Sequence, residues 1–546
     1  MPKDNTQYQK TVSWRKIIAT VAGAGIFALG IAAALFYIYK RCRGEYNADF
    51  TDTLLWADAS VRSGKYCDSD YWYAYFLPFS GIPIMIPIVK IFGLTYFSHQ
   101  LGMTVFVLIF AASVLAFFKN ADCTYSEAFA LSGLTLIFMC ASQVTRMIFY
   151  GHIIHYSLVI VFMCISFCLL KRSTVFETTG DGMISTRAYI YTAIIAVWLM
   201  LCTTNGMATF ILYFVPFVLC IVIERFLDRR PITYKGDRTL IHTVALFAAA
   251  GLAGFAIKLI FFASSEYEDS ITALLPSDGW VWKQSPFLLE WIKVLCGESA
   301  SDVQMMTFDG IRMLVMYFLA LVILIVPVIA AFSYRKITSR MLRLLILYYL
   351  TMFATTLLTY SVSYALVSNW RLAHLVCAAV MTTLLYTLYM LRSHQCVRWF
   401  VPLVPVIAVC ALICLLTVKN LPSALNTNET DQLIEIYREN GLVRGYSSSF
   451  WNSTNSANVL SDGQITVSPI FIWPDGSYEV RRYQSYPAEY EDVPGVDRYF
   501  VVVDSSDMEY AADTLGSHKI DEIKFQDDLY IWVFDRNIFK DLEPVF

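Results

Sequence analysis

Eleven long apolar runs set the limits on this chain: 17–39, 98–118, 125–141, 153–170, 188–203, 206–223, 239–263, 311–333, 344–362, 372–391 and 399–417. A helix needs about 20 apolar residues to cross the hydrocarbon layer. Lipid supplies no water to satisfy backbone groups, so a spanning segment must hydrogen-bond to itself. The runs predict a polytopic α-helical membrane protein with about eleven transmembrane helices. The first run exceeds the ~7–15-residue apolar core of a cleaved signal peptide and is expected to stay as a membrane helix. With 57% hydrophobic and 16% charged residues, the composition excludes a disordered chain, a coiled coil, a small disulfide scaffold and an ordinary soluble enzyme.

The net charge of −3 hides a division. Residues 420–546 hold 22 Asp and Glu against 9 Lys and Arg, while everything before them is net basic. We therefore expect a membrane domain over 1–419 and a soluble, extracytoplasmic α/β domain over 420–546. The tail reads as a helix near 431–439 followed by alternating strands, such as 464–467, 499–503 and 529–534, separated by Asp-Gly and Pro-Gly turns. With the N-terminus inside, inside loops collect nineteen Lys and Arg and outside loops before residue 420 collect ten. Basic residues are retained on the cytoplasmic side, so the expected arrangement in the cell membrane is N-terminus cytoplasmic and tail outside. Lys40, Arg41 and Arg43 run against this balance.

Two outside loops are sizeable, 40–97 and 264–310, and the first carries the most information. Its stretch Asp49-Phe-Thr-Asp52-Thr-Leu-Leu-Trp56-Ala-Asp58 continues helically to Ser63-Gly64, a usual helix stop. Next come the aromatic residues Tyr71 to Phe76 and a segment broken by Pro78, Pro83 and Pro87, which reads as interfacial or re-entrant. At about 100° per residue, Asp49 and Asp52 share one helical face and Asp58 lies opposite. Two crowded carboxylates can hold a general base, since partial desolvation raises a carboxyl toward working pH. The alternative is an N-cap with first-turn charges favoured by the helix dipole.

Further candidates lie at other outside helix ends. Arg146, His152 and His155 share a short loop, with the two histidines one turn apart; they are either functional groups at membrane depth or solvated helix-end residues. Arg371 and His374 open another helix on that side, where an arginine can grip a lipid phosphate or simply snorkel. All thirteen cysteines precede residue 420, and only Cys42, Cys67 and Cys296 fall in outside loops, so a Cys42–Cys67 disulfide is one option. Cys and His spacing suggests no zinc site, and there is no P-loop. Asp68-Ser-Asp70 resembles the metal-holding element of nucleotide-sugar transferases but falls outside, where nucleotide sugars are not normally supplied. Gly23-Ala-Gly25 mimics a dinucleotide fingerprint inside a membrane helix, where small-residue packing explains it better.

Read together, Asp49, Asp52, Trp56, Gly64, Asp70-Tyr-Trp72, Pro78 and Pro83 follow an order that resembles the GT-C class of membrane glycosyltransferases. More narrowly it is similar to bacterial members grouped with protein mannosyltransferases and the aminoarabinose transferase of lipid A. The resemblance implies transfer of a sugar from a polyprenyl-phosphate donor to a glycan, lipid or protein acceptor at the outer face. It implies Asp49 as base with Asp52 in reserve, and Arg146, Arg371 and then Lys65 as candidate phosphate ligands. The chain departs from the class by having Asp49-Phe50 in place of an Asp-Glu pair after the first helix, and His152 where relatives often show an acid.

Besides donor and acceptor, the expected partners are membrane lipids and not nucleic acid; a divalent cation is an open option. The main competing reading is a lipid or polysaccharide transporter or flippase, which intramembrane charges would favour. Apart from Lys258 the helix interiors are poor in charge. A non-catalytic assembly subunit is the third reading. For the tail, acceptor binding is the natural expectation.

Overall fold

The computed structural model describes residues 14–173, 186–227, 234–261, 272–298, 303–393, 400–525, 529–540, 542 and 544–545. Of the loop cations counted above, Lys3, Lys10, Arg229, Arg230 and Arg398 lie outside these. Each of the eleven apolar runs holds a helix, and nine helices among the described residues are long and apolar enough to cross a membrane. The other two differ in form. Helix Tyr125–Phe138 turns by 118° into Gln143–Gly151, and Leu403–Lys419 is a shorter apolar helix. Large apolar side chains remain on outward faces, for example Ile18, Val21 and Leu29 on the first helix and Phe318, Ile325 and Phe332 on Phe308–Phe332. Hydrocarbon solvates such faces without cost, so they need no protein cover.

Small residues set the closest helix contact. A Cβ on Gly23 would lie 2.3 Å from the Ser126 carbonyl oxygen, and one on Gly133 would lie 2.5 Å from the Ile26 backbone. Helices Trp14–Lys40 and Tyr125–Phe138 therefore touch along their backbones at Gly23 and Gly30, whereas Gly25 meets nothing within 4 Å. The proline-broken segment becomes a short apolar helix, Ile82–Phe92, with Pro83 in its first turn. Asn205 pins its approach, accepting from the Phe79 N–H and donating to the Phe79 carbonyl, both at 2.8 Å.

Beyond the helix Glu429–Glu439 the chain builds one seven-stranded sheet. Its strands are β1 (Arg444–Ser447), β2 (Thr466–Ile472), β3 (Tyr478–Arg481), β4 (Tyr499–Asp504), β5 (Asp521–Phe525), β6 (Leu529–Phe534) and β7 (Pro544–Val545), in the order β5-β6-β4-β1-β2-β3-β7. β1 pairs parallel with β2 and β4, and β6 pairs antiparallel with β4 and β5. Central β4 is apolar and buried from Tyr499 to Val503, as a strand covered on both faces requires. The fold is thus a polytopic helical membrane protein with a C-terminal α/β unit.

The acidic tail sits on the loop that follows the first membrane helix. Arg43 pairs with Asp431 at 2.5 Å, Arg41 donates to the Leu421 carbonyl and to Asn426, and Asn428 donates to the Arg43 and Tyr46 carbonyls at 2.7 Å. Two of the three cations that run against the loop-charge balance, Arg41 and Arg43, are therefore held by the tail. Trp72 N–H donates to the Ser485 carbonyl at 3.0 Å, which fastens the aromatic stretch to the segment after β3.

Candidate active site

The first-loop helix spans Ala48–Ser63, and its limits follow from its ends. Asn47 caps it by accepting from the Asp49 N–H at 3.0 Å, so Asp49 is not itself the cap. Gly64 closes it in the left-handed region at φ 69°. Two contacts fix its rotation. Phe50 is fully buried with its ring stacked on His152 at 5.2 Å and near His99 at 6.2 Å. That ring lies where a Cβ on Gly151 would be, 2.8 Å away. Trp56 packs on Tyr73 and Phe76 and donates to the Tyr66 carbonyl at 2.9 Å. Asp49 and Asp52 are then turned together toward the tail, while Asp58 is held by Arg62 at 2.7 Å.

The two acids are poorly satisfied. Asp52 is 7% exposed, and among the described residues its side chain is met by the Gln484 amide alone, at a long 3.4 Å. Asp49 Oδ1 is buried and meets no hydrogen-bond donor among the described residues. Burial pushes Asp49 up to about 7 against the lowering charge of Arg481. Burial and then the Asp49 charge push Asp52 up to about 7, with the Gln484 bond opposing. Two interacting carboxyls in this range titrate as a pair and share a proton near neutral pH. The cation beside Asp49 and the like charge beside Asp52 favour ionised Asp49 and protonated Asp52.

A band of rings runs from the acids to a cationic patch. Tyr75 and Tyr483 lie within electrostatic reach of both acids. The Tyr75 ring is 6.2 Å from that of His155, which in turn lies near His374 and Arg371. Tyr156 stacks on His374 at 5.7 Å, and its hydroxyl is 3.2 Å from that of Tyr360. Arg371 is 9% exposed; it lies over Trp370 at 4.8 Å and donates to the Leu366 carbonyl at 2.9 Å. Beside it Lys283 donates to the Ser363 and Ala365 carbonyls at 2.5 and 2.8 Å. Burial and the Arg371 charge lower its ammonium. Two close cations can stabilise an anion that neither would hold alone.

The remaining sequence candidates fall elsewhere. Arg146 is buried in an ion pair with Glu45 at 2.9 Å, under the Tyr37 ring at 5.5 Å. Tyr37 donates to the other Glu45 oxygen at 2.5 Å. Lys65 is exposed beyond the far end of the first-loop helix, about 20 Å from Asp49 along a 1.5 Å rise per residue. Cys42 and Cys67 are unbonded thiols, because that same helix stands between them and a disulfide needs Cα atoms within about 7 Å. Asp68 accepts from the Asp70 N–H of its own loop at 3.2 Å and from Tyr486 of the tail at 3.4 Å. No group of three or more His, Cys, Asp or Glu among the described residues could hold a metal ion.

Glu45, Lys283, Arg481 and Gln484 are absent from the candidates drawn from sequence. Glu45 follows the first helix in a short 3-10 turn without periodic pattern, and the last two lie some 430 residues from the acids they face. Only Glu45, an acid directly after a membrane helix, carried a readable signal.

No protein-family profile and no curated protein matches the chain. Among solved structures it is similar to ArnT from Cupriavidus metallidurans bound to undecaprenyl phosphate, with a TM-score of 0.54 and 10% identity over 98% of this chain and all of that one. The fold is GT-C-like.

Proposed function

We propose that the chain is a membrane glycosyltransferase that moves a sugar from a polyprenyl-phosphate donor to an acceptor hydroxyl at the outer face. The observation carrying this reading is the buried Asp49–Asp52 pair, with an unbonded carboxylate oxygen at one end of a ring-lined band and Arg371 with Lys283 at the other. A base and an anion site, joined by an aromatic path, suit displacement of a phosphate by an alcohol. The shared fold with a protein bound to undecaprenyl phosphate supports the donor class.

Asp49 takes the proton of the acceptor hydroxyl as its oxygen bonds to the anomeric carbon. The bond from that carbon to the phosphate oxygen breaks, and the lipid phosphate leaves with the electron pair toward Arg371 and Lys283. Asp52, kept protonated, holds the pair at a single negative charge. His155 and Tyr75 line the sugar's place between them, His152 supports Phe50, and Arg146 holds Glu45. The basic inside loops support an N-terminus in the cytoplasm, residues 1–419 as the membrane domain and 420–546 as an outer one.

Purified full-length protein, given a panel of polyprenyl-phosphate sugars and membrane extract as acceptor, is expected to release polyprenyl phosphate with at least one donor. Folded protein that releases none with any donor overturns the reading and favours the transporter.

A further inference from the structure

The outer sheet reaches into the acid pair through one short segment. Arg481 ends β3, and Tyr483 and Gln484 follow two and three residues on. Gln484 is 1% exposed, with its backbone in the left-handed region at φ 48°, an uncommon place for a residue with a side chain. Both of its ends are held. Asn455 Nδ2 donates to its main-chain carbonyl at 3.1 Å and to its Oε1 at 2.9 Å, and Thr51 of the first-loop helix reaches the same Oε1 at 3.4 Å. With donors on Oε1, the amide can turn only its N–H group toward Asp52. Asn458 secures Asn455 at 3.1 Å, and Trp72 fastens the neighbouring Ser485 at 3.0 Å.

A left-handed backbone and an asparagine spent on both oxygens of one glutamine are more than anchoring demands, since the ion pair and capping bonds around Arg43 and Asn428 already fasten the tail. We infer that the outer domain completes the active site, with Gln484 as a positioning residue that orients Asp52 and biases the proton shared by Asp49 and Asp52. This rests on the transferase reading for its kinetic consequence only. It differs from a tail that merely binds acceptor, because the tail then acts on the reacting acids themselves.

The groups facing the pair are Arg481 and Tyr483 from the tail, and Tyr71 and Tyr75 from the first loop. Gln484 donates to the ionised form of Asp52, so its loss favours the protonated form. The test is an infrared pH titration of the carboxyl band in the full-length protein. The pair's signal is isolated by subtracting the Asp49→Asn/Asp52→Asn double variant. Gln484→Met, similar in shape but without a donor, is expected to raise the apparent midpoint by about half a pH unit or more. In the transfer assay Asp52 then keeps its proton to higher pH, so the alkaline limb of the kcat profile moves upward by the same amount while the acceptor KM stays within about twofold. Should Gln484→Met not fold, Asn455→Ser frees the Gln484 amide and is expected to shift the midpoint the same way by less. An unmoved midpoint in a folded variant overturns the inference even if the wild type transfers sugar. A shifted midpoint in a protein that transfers none upholds it and removes only the transferase reading.

Discussion

Two buried acidic sites lie within twelve residues of the end of the first membrane helix at Lys40, and they are built in opposite ways. Glu45 has a partner for each oxygen: Arg146 at 2.9 Å and Tyr37 at 2.5 Å. Asp49 and Asp52 share one long bond to an amide, and one buried oxygen has no donor among the described residues. A satisfied buried carboxylate is a structural pin that ties helix Gln143–Arg146 to the end of the first helix. An unsatisfied pair is costly to keep, and such sites persist where chemistry needs them. The contrast separates acids that look alike in sequence, and it is why Glu45 is not our base although it follows the first helix directly.

The comparison can be broken from either side. The largest effect is expected for the Asp49→Asn/Asp52→Asn double variant, with a loss of ~10³-fold or more in kcat and no loss of fold, measured by carrier-phosphate release and thermal midpoint. Glu45→Ala should do the reverse. Leaving Arg146 buried and alone costs ~3–5 kcal/mol of stability, and the Glu45→Met/Arg146→Met pair should recover most of it in a thermal assay.

Stability should also sharpen the contrast. Asp49 and Asp52 are pushed up to about 7, so the protonated forms favour the fold, and this stability is lost as pH rises from about 4 through 7. The thermal midpoint is expected to fall across that window, and the double Asn variant should remove that part of the slope. The smallest effect is at the cationic end. Lys283→Ala should raise the donor KM by about tenfold, as expected for one charge-assisted contact. Exposed Lys65→Ala should stay within about twofold.

Much of this was legible in the sequence because it depends on local pattern. Apolar length marks each membrane helix, Gly64 marks the end of the first-loop helix, and the three-residue spacing puts Asp49 and Asp52 on one face. The strands 499–503 and 529–534 were readable as apolar runs between turns and match β4 and β6 to within a residue. What could not be read is what closes over the acids. Gln484 and Arg481 are brought there by the docking of a separate sheet, and a contact between residues 52 and 484 leaves no periodic trace. Arg146 reads from sequence as a candidate phosphate ligand beside His152 and His155, because its Glu45 partner sits 101 residues away. Lys283 belongs to a helix, Trp280–Cys296, whose face toward Arg371 is set only by tertiary packing.

The most direct test of the central claim is single-turnover release of polyprenyl phosphate at pH 7, comparing wild type with Asp49→Asn and with Asp52→Asn. We predict a fall of ~10²-fold or more for Asp49→Asn, the scale of a lost general base, and a smaller fall for Asp52→Asn. Release by folded Asp49→Asn at the wild-type rate would contradict the assignment of the base and the account built on it.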